Sequence, residues 1–151
     1  MYFHVILSFP ITKEDGLSRR IQMKVFIADD SRAVVKRLAD LLEEVPGAQL
    51  VGQASDVSET VQGVQKLRPD VLILDLQMPG GSGLDVLRAV RPDQPSLCVL
   101  ICTNYPYDQY REECLAAGAN YFLDKSAEFE KIPGILSELI KTSPKPASAV
   151  R

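Results

Sequence analysis

The sequence predicts an α/β fold, a three-layer sandwich with a five-stranded parallel sheet and helices on both faces. Three observations predict it. Short continuous apolar runs such as Val71–Leu74 and Leu97–Cys102 read as strands buried on both faces, which is how parallel sheets are built. Segments between the runs carry apolar residues at helical spacing. The two patterns alternate along the chain, and such alternation builds a parallel sheet through crossover helices.

The first run, Val25-Phe26-Ile27-Ala28, gives a strand. Asp30 or Ser31 can then cap a helix whose Val34, Val35, Leu38, Leu41, Leu42 and Val45 share one face, ended by Pro46-Gly47. Leu50–Ala54 is a short strand. Asp56 with Glu59 has the spacing of a capping box and opens a helix through Val57, Val61, Val64 and Leu67. Arg68-Pro69 closes it, and Val71–Leu74 follows as the central strand. The loop Met78–Gly83 leads to a helix carrying Leu84, Val86, Leu87 and Val90, then to the strand Leu97–Cys102. A helix over about Tyr107–Ala117 stops at Gly118. Tyr121–Leu123 is the last strand, and Pro133 sits in the first turn of a final helix through Ile135, Leu136, Leu139 and Ile140. The order of elements fits a flavodoxin-like sandwich, whose ligands bind at the carboxyl ends of the strands.

A chain of 151 residues suits one domain with a sizeable core. Its net charge of −3 gives no basic excess for a nucleic-acid surface. The apolar start Met1–Ile11 is too short to span a bilayer, and it lacks a basic leader region and a cleavage site. The reading is therefore a cytoplasmic protein with no membrane and no direct nucleic-acid partner. Cys98 and Cys102 lie four apart on a strand, about 13 Å at about 3.3 Å per residue. A disulfide needs less than about 7 Å, so these are expected to be buried, reduced thiols.

Four of the apolar runs end at residues that carry chemistry. The first runs into Asp29-Asp30, the central strand into Asp75, the next into Thr103, and the last into Asp124-Lys125. In an open parallel sheet these ends meet in one crevice. Asp75, alone at the end of the central strand, is the natural nucleophile, because a carboxylate can take up a phosphoryl group as an acyl phosphate. Asp29 and Asp30 suit Mg²⁺, a hard cation that takes oxygen ligands. Adjacent residues project differently, so one is expected to ligate directly and one through water, with Asp30 the direct ligand. Lys125 can pair with a phosphoryl oxygen or Asp75, and Thr103 can donate a hydrogen bond to another oxygen. Each residue alone has an ordinary explanation as a helix cap, a turn residue or a solvated charge. Their joint occurrence on separate strand ends does not.

Residues from about Met23 to Lys141 resemble the receiver domain of bacterial two-component response regulators, the chemotaxis regulator among them. The resemblance rests on Val25–Ser31, Asp75-Leu76-Gln77-Met78-Pro79-Gly80, Gly83, Thr103, Gly118-Ala119 and Lys125. It implies that Asp75 accepts phosphate from a histidine kinase or phosphotransfer protein. It also implies Mg²⁺ held by Asp30, Asp75 and the backbone carbonyl of Gln77, with Asp29 assisting. Thr103 and Lys125 would contact the phosphoryl group. Phe122 occupies the switch aromatic position and would turn inward as Thr103 moves toward the phosphate, a two-state population shift. A homodimer through the last two helices on phosphorylation is a further implication.

The sequence departs from the common pattern in places. Ser126 stands where many receivers carry a cis-proline, so that loop is expected to be built differently. Asn104 replaces a small residue and is expected to narrow phosphodonor access. Gln77 and Tyr105 flank the path of the hydrolytic water. Residues 1–22, with the sole histidine His4, read as an N-terminal extension or a mis-assigned start, poorly ordered in either case. Residues 142–151 read as a tail. Tyr105, Tyr107, Tyr110, Phe122 and Phe129 could form an aromatic contact surface, or belong in part to the core.

The function expected is a stand-alone receiver that is not an enzyme beyond assisting its own phosphorylation and dephosphorylation, and that signals to a downstream protein. One alternative is a receiver fragment of a DNA-binding transcriptional regulator. A second, an aspartyl-phosphate phosphatase, needs a further acid two residues after the nucleophile, where Gln77 stands. A phosphate-binding P-loop is excluded because Gly80-Gly81-Ser82-Gly83 lacks its lysine.

Overall fold

The computed structural model describes residues 22–142. His4, the extension up to residue 21 and the tail beyond Thr142 lie outside the described residues. The sheet consists of β1 (Met23–Ala28), β2 (Ala48–Ala54), β3 (Val71–Leu74), β4 (Cys98–Thr103) and β5 (Tyr121–Asp124). All neighbours pair in parallel, in the order β2-β1-β3-β4-β5. This is the flavodoxin-like order predicted from the alternation of elements. The helices are α1 (Arg32–Leu42), α2 (Val57–Leu67), α3 (Gly83–Val90), α4 (Asp108–Ala116) and α5 (Ile132–Thr142).

Because side chains alternate across a strand, the apolar runs supply two cores at once. Phe26, Leu72, Leu74, Val99 and Ile101 share one face with Val64 of α2, Val86 and Leu87 of α3 and Cys114 of α4. Val25, Ile27, Val71, Ile73 and Leu100 fill the other with Leu38 and Leu42 of α1 and Ile132 and Leu136 of α5. No polar side chain interrupts β3, whose four residues are all buried.

Helix starts follow the sequence closely. Ser31, rather than Asp30, caps α1 by accepting the Val34 N–H at 3.3 Å. Asp56 caps α2 through the Glu59 N–H at 2.8 Å, while Glu59 reaches back to the Ser55 N–H at 3.3 Å instead of to its own cap residue. Other features depart from expectation. β2 starts two residues earlier than Leu50, and β5 includes Asp124. The loop after the central strand forms a small antiparallel pair, Gln77–Met78 with Gly81–Ser82. Gly80 turns it at φ 89°, in the left-handed region glycine favours. A 3₁₀ turn, Phe129–Lys131, precedes α5.

At the amino ends of β4 and β5, Arg91 ties three segments together. Its guanidinium donates to the carbonyls of Gln94, Pro95 and Leu97, and to the Gly118 carbonyl and Asn120 Oδ1, at 2.6–3.2 Å. The aromatic surface is smaller than the sequence allowed. Phe122 and Phe129 are core residues on opposite faces of the sheet, leaving Tyr105, Tyr107 and Tyr110 in a tilted row with ring centroids 6.3 and 5.8 Å apart. Cys98, Cys102 and Cys114 are free. Burial pushes their thiols up to about 11, 12 and 11 respectively.

Candidate functional site

Backbone hydrogen bonds carry the ladder one step past the strand ends and thereby place the polar residues. The Asp29 N–H donates to Ala54 O at 3.1 Å, the Asp75 N–H to Ala28 O at 2.9 Å, and the Lys125 N–H to Thr103 O at 2.7 Å. Gly83, at the start of α3, packs against the backbone just after β3, where a Cβ would lie 2.6 Å from the Asp75 carbonyl oxygen. Any side chain there would push α3 away from the nucleophile candidate. The glycine is needed for close approach rather than for an unusual φ.

Asp29, Asp75 and Thr103 are buried, at 4, 6 and 0% exposure, whereas Asp30 is exposed. One carboxylate oxygen from each of Asp29, Asp30 and Asp75 lies within 4.8 Å of the others. Lys125 reaches into this group. Its Nζ is 2.7 Å from Asp29 Oδ2 and 3.5 Å from Asp75 Oδ1, so it engages Asp29 more closely than Asp75, the carboxylate partner expected from the sequence. The other oxygen of Asp29 accepts the Ser31 N–H at 2.9 Å. Asp75 also accepts the Gln77 N–H, at 3.3 Å. Thr103 Oγ1 accepts the Tyr105 N–H at 2.9 Å, which leaves its own hydrogen available to another acceptor.

The electrostatics are unbalanced. Burial, with the Asp29 charge adding to it, raises the Asp75 carboxyl to about 6 despite Lys125 and the Gln77 N–H. Burial works against the Lys125 ammonium, but its hydrogen bond to Asp29 and the charge of Asp75 outweigh that and raise its pKa. Three carboxylates against one ammonium, partly desolvated, make a site short of positive charge. That donor set fits a hard divalent cation such as Mg²⁺.

Around the pocket, the loop after Lys125 closes without a proline. Asp124 Oδ1 accepts the Ser126 N–H and hydroxyl at 2.9 and 3.0 Å, and Glu128 Oε1 accepts the Asp124 N–H at 2.9 Å. The Ser126 bonds hold the Asp124 carboxyl below its usual range. Phe122 is buried in the core. The Arg111 guanidinium lies over its ring, 5.0 Å from the centroid, a contact absent from the sequence reading. Only the two residues' type and the helix-to-strand topology could have suggested it. Asn104 and Tyr105 are exposed at the rim.

The fold and the strand-end cluster define a doubly wound α/β protein with an acidic pocket at the carboxyl ends of its strands. The family model for the response regulator receiver domain matches residues 25–137. The chain belongs to that family, and with it to the response regulators of two-component systems. Among its relatives, the protein-glutamate methylesterase/protein-glutamine glutaminase of Alkalilimnicola ehrlichii is 34% identical over 80% of this chain and 32% of that protein. The DNA-binding transcriptional activator DevR/DosR of Mycobacterium tuberculosis is 37% identical over 68% of this chain and 48% of that one. The isolated REC domain of RcsB from Salmonella enterica serovar Typhimurium, solved with the phosphomimetic BeF₃⁻, superimposes with a TM-score of 0.74 at 27% identity, covering 80% of this chain and 90% of that one. The matched region thus spans 32% and 48% of the length of the two relatives. No helix among the described residues is long and apolar enough to cross a membrane.

Proposed function

We propose that residues 23–141 act as a phosphoacceptor switch in a cytoplasmic two-component relay, with Asp75 the acceptor. A carboxylate oxygen of Asp75 attacks the phosphorus of a phosphohistidine on a sensor kinase or phosphotransfer protein. The P–N bond breaks, the imidazole leaves with its electron pair and takes up a proton, and an acyl phosphate forms on Asp75. The convergence of Asp29, Asp30 and Asp75 within 4.8 Å, with Lys125 Nζ among them, carries this reading.

Asp30, Asp75 and the backbone carbonyl of Gln77 would hold Mg²⁺, with Asp29 assisting. Support for Asp30 as the direct ligand comes from Asp29, whose two oxygens are already engaged by Ser31 and Lys125. Bound Mg²⁺ supplies positive charge against the phosphoryl oxygens. Lys125 orients one of those oxygens, and the Thr103 hydroxyl donates to another while still accepting from Tyr105. Lys125, held between two carboxylates, enters the reaction already charged and fixed in place, so little reorganisation is left for the transfer step. Thr103 and Phe122 couple the acyl phosphate to the surface of the last two strand-helix units, where a downstream protein or a second copy docks. The chain's only chemistry is on itself.

A second reading concerns the output. Similarity to DevR/DosR favours a receiver that controls a DNA-binding output, while similarity to the methylesterase/glutaminase favours one that belongs to a longer enzyme.

Incubation with Mg²⁺ and acetyl phosphate, followed by intact-mass measurement, tests the acceptor. The wild type is expected to gain one phosphoryl mass and Asp75→Asn none. No gain with a range of small donors and a histidine-phosphorylated donor would sink the proposal. Labelling of Asp75→Asn would move the site elsewhere.

A further inference from the structure

Phe122 sits on β5 next to Ile101 of β4, two residues before Thr103 on one strand and three before Lys125 on the other. Its ring is 4% exposed and packs in the core with Ile101 and Cys114. Arg111 projects from α4 across this ring. Its guanidinium carbon lies 5.0 Å from the ring centroid, and one of its N–H groups donates to the Phe122 carbonyl oxygen at 3.4 Å. One side chain thus grips both the ring and the backbone of the same residue. The stacking is a cation–π contact with the charge partly withdrawn from water, which strengthens it.

We infer that Arg111 is a positioning residue that holds Phe122 inward and so sets how readily the Asp75 pocket engages a phosphoryl group. The inference deepens the reading of Asp75 as acceptor and rests on it. Two contacts would be lost together if the ring swung out, the cation–π contact and packing against Ile101. Cys114 is the one fully buried residue of α4 and Tyr110 packs against the same core, so Arg111 adds a third attachment, the one that reaches Phe122. The Glu128 carboxyl is held below its usual range chiefly by the Asp124 N–H, then by Lys131, with the Arg111 charge adding the smallest share. A receptive pocket is favoured in proportion to the inward population, because a ligand of one conformer sees its affinity scaled by that conformer's share.

The test uses the full chain labelled with 4-fluorophenylalanine, the Phe122 resonance being assigned by its loss in Phe122→Leu. Affinity for beryllofluoride with Mg²⁺ is measured in parallel. Arg111→Ala is expected to lower the inward-to-outward ratio of Phe122 about five-fold and to weaken beryllofluoride binding by up to the same factor. Arg111→Lys keeps the charge without the planar stack and should fall between. A Phe122 resonance and affinity identical to wild type in Arg111→Ala, or tighter binding, would overturn the inference. Should Arg111→Ala fail to fold, Arg111→Lys decides: a wild-type resonance and affinity there overturn the inference, and an intermediate shift supports it. Failure of the wild type itself to bind beryllofluoride would instead count against the acceptor reading.

Discussion

The two ends of the sheet treat charge in opposite ways. At the amino end, the Arg91 guanidinium sits among four carbonyls and the Asn120 amide oxygen, with bonds of 2.6–3.2 Å. No carboxylate is among these acceptors, yet its donors are served by a matching set of oxygens. At the carboxyl end, three carboxylates crowd within 4.8 Å around a single ammonium, and Asp75 is driven up to about 6. A satisfied polar cluster fixes a structure, whereas one left short of charge is held in place by the fold around it and waits for a ligand. The first end is built as a joint, and the second has the charge imbalance expected of the proposed phosphoacceptor site.

The comparison is sharpest in stability. Arg91→Ala strips partners from several carbonyls at once and should cost about 3 kcal/mol. Urea unfolding measures this, and acetyl phosphate labelling of Asp75 in the folded fraction should not change. A loss below about 1 kcal/mol would mean the joint is decorative.

At the other end the sign reverses. A carboxyl at about 6 in the folded chain, against an ordinary value near 3.9 when unfolded, binds more protons folded than unfolded between those values. Asp75 therefore subtracts stability as pH rises from about 4 to 6. Asp75→Asn should stabilise the protein by about 2 kcal/mol at pH 7 in the presence of a chelator, and by almost nothing at pH 4. Equal effects at both pH values would show that the pocket is not strained.

The smallest effect expected is from metal. Millimolar Mg²⁺ should raise wild-type stability by about 1 kcal/mol through binding the native state alone. Asp30→Asn should abolish most of that gain, and Arg91→Lys should retain it. A gain that survives in Asp30→Asn would place the cation elsewhere.

Much of this contrast was legible in the sequence, but only at one end. Strands buried on both faces appear as unbroken apolar runs, so their final residues could be found by eye, and Asp29, Asp30, Asp75, Thr103 and Lys125 fall there. Topology then brings together residues that lie up to 96 positions apart, as Lys125 and Asp29 do. Arg91 carried no such signal. A lone arginine after a helix looks solvated, and its acceptors are backbone atoms that any sequence supplies. The Arg111 stack escaped for the same reason, since a helix with one fully buried residue gives little periodicity to orient it. The Gln77–Met78 pair was too short for any pattern to register. Phe122 and Phe129 looked alike in sequence, yet strand alternation and the turn before α5 send them to opposite cores.

The three thiols, Cys102 and Cys114 buried and Cys98 half-buried, have a practical consequence for testing the proposed switch. The thiolate is the form that reacts with electrophiles, and Cys98, Cys102 and Cys114 are all held protonated far above neutral pH. No other cysteine occurs in the sequence. Native thiol labelling is therefore expected to be slow, slowest at the buried Cys102 and Cys114. A single cysteine placed at Tyr107, 60% exposed at the head of α4, will take a fluorophore ahead of the native three. The helix that Arg111 anchors can then report its own movement as the pocket fills.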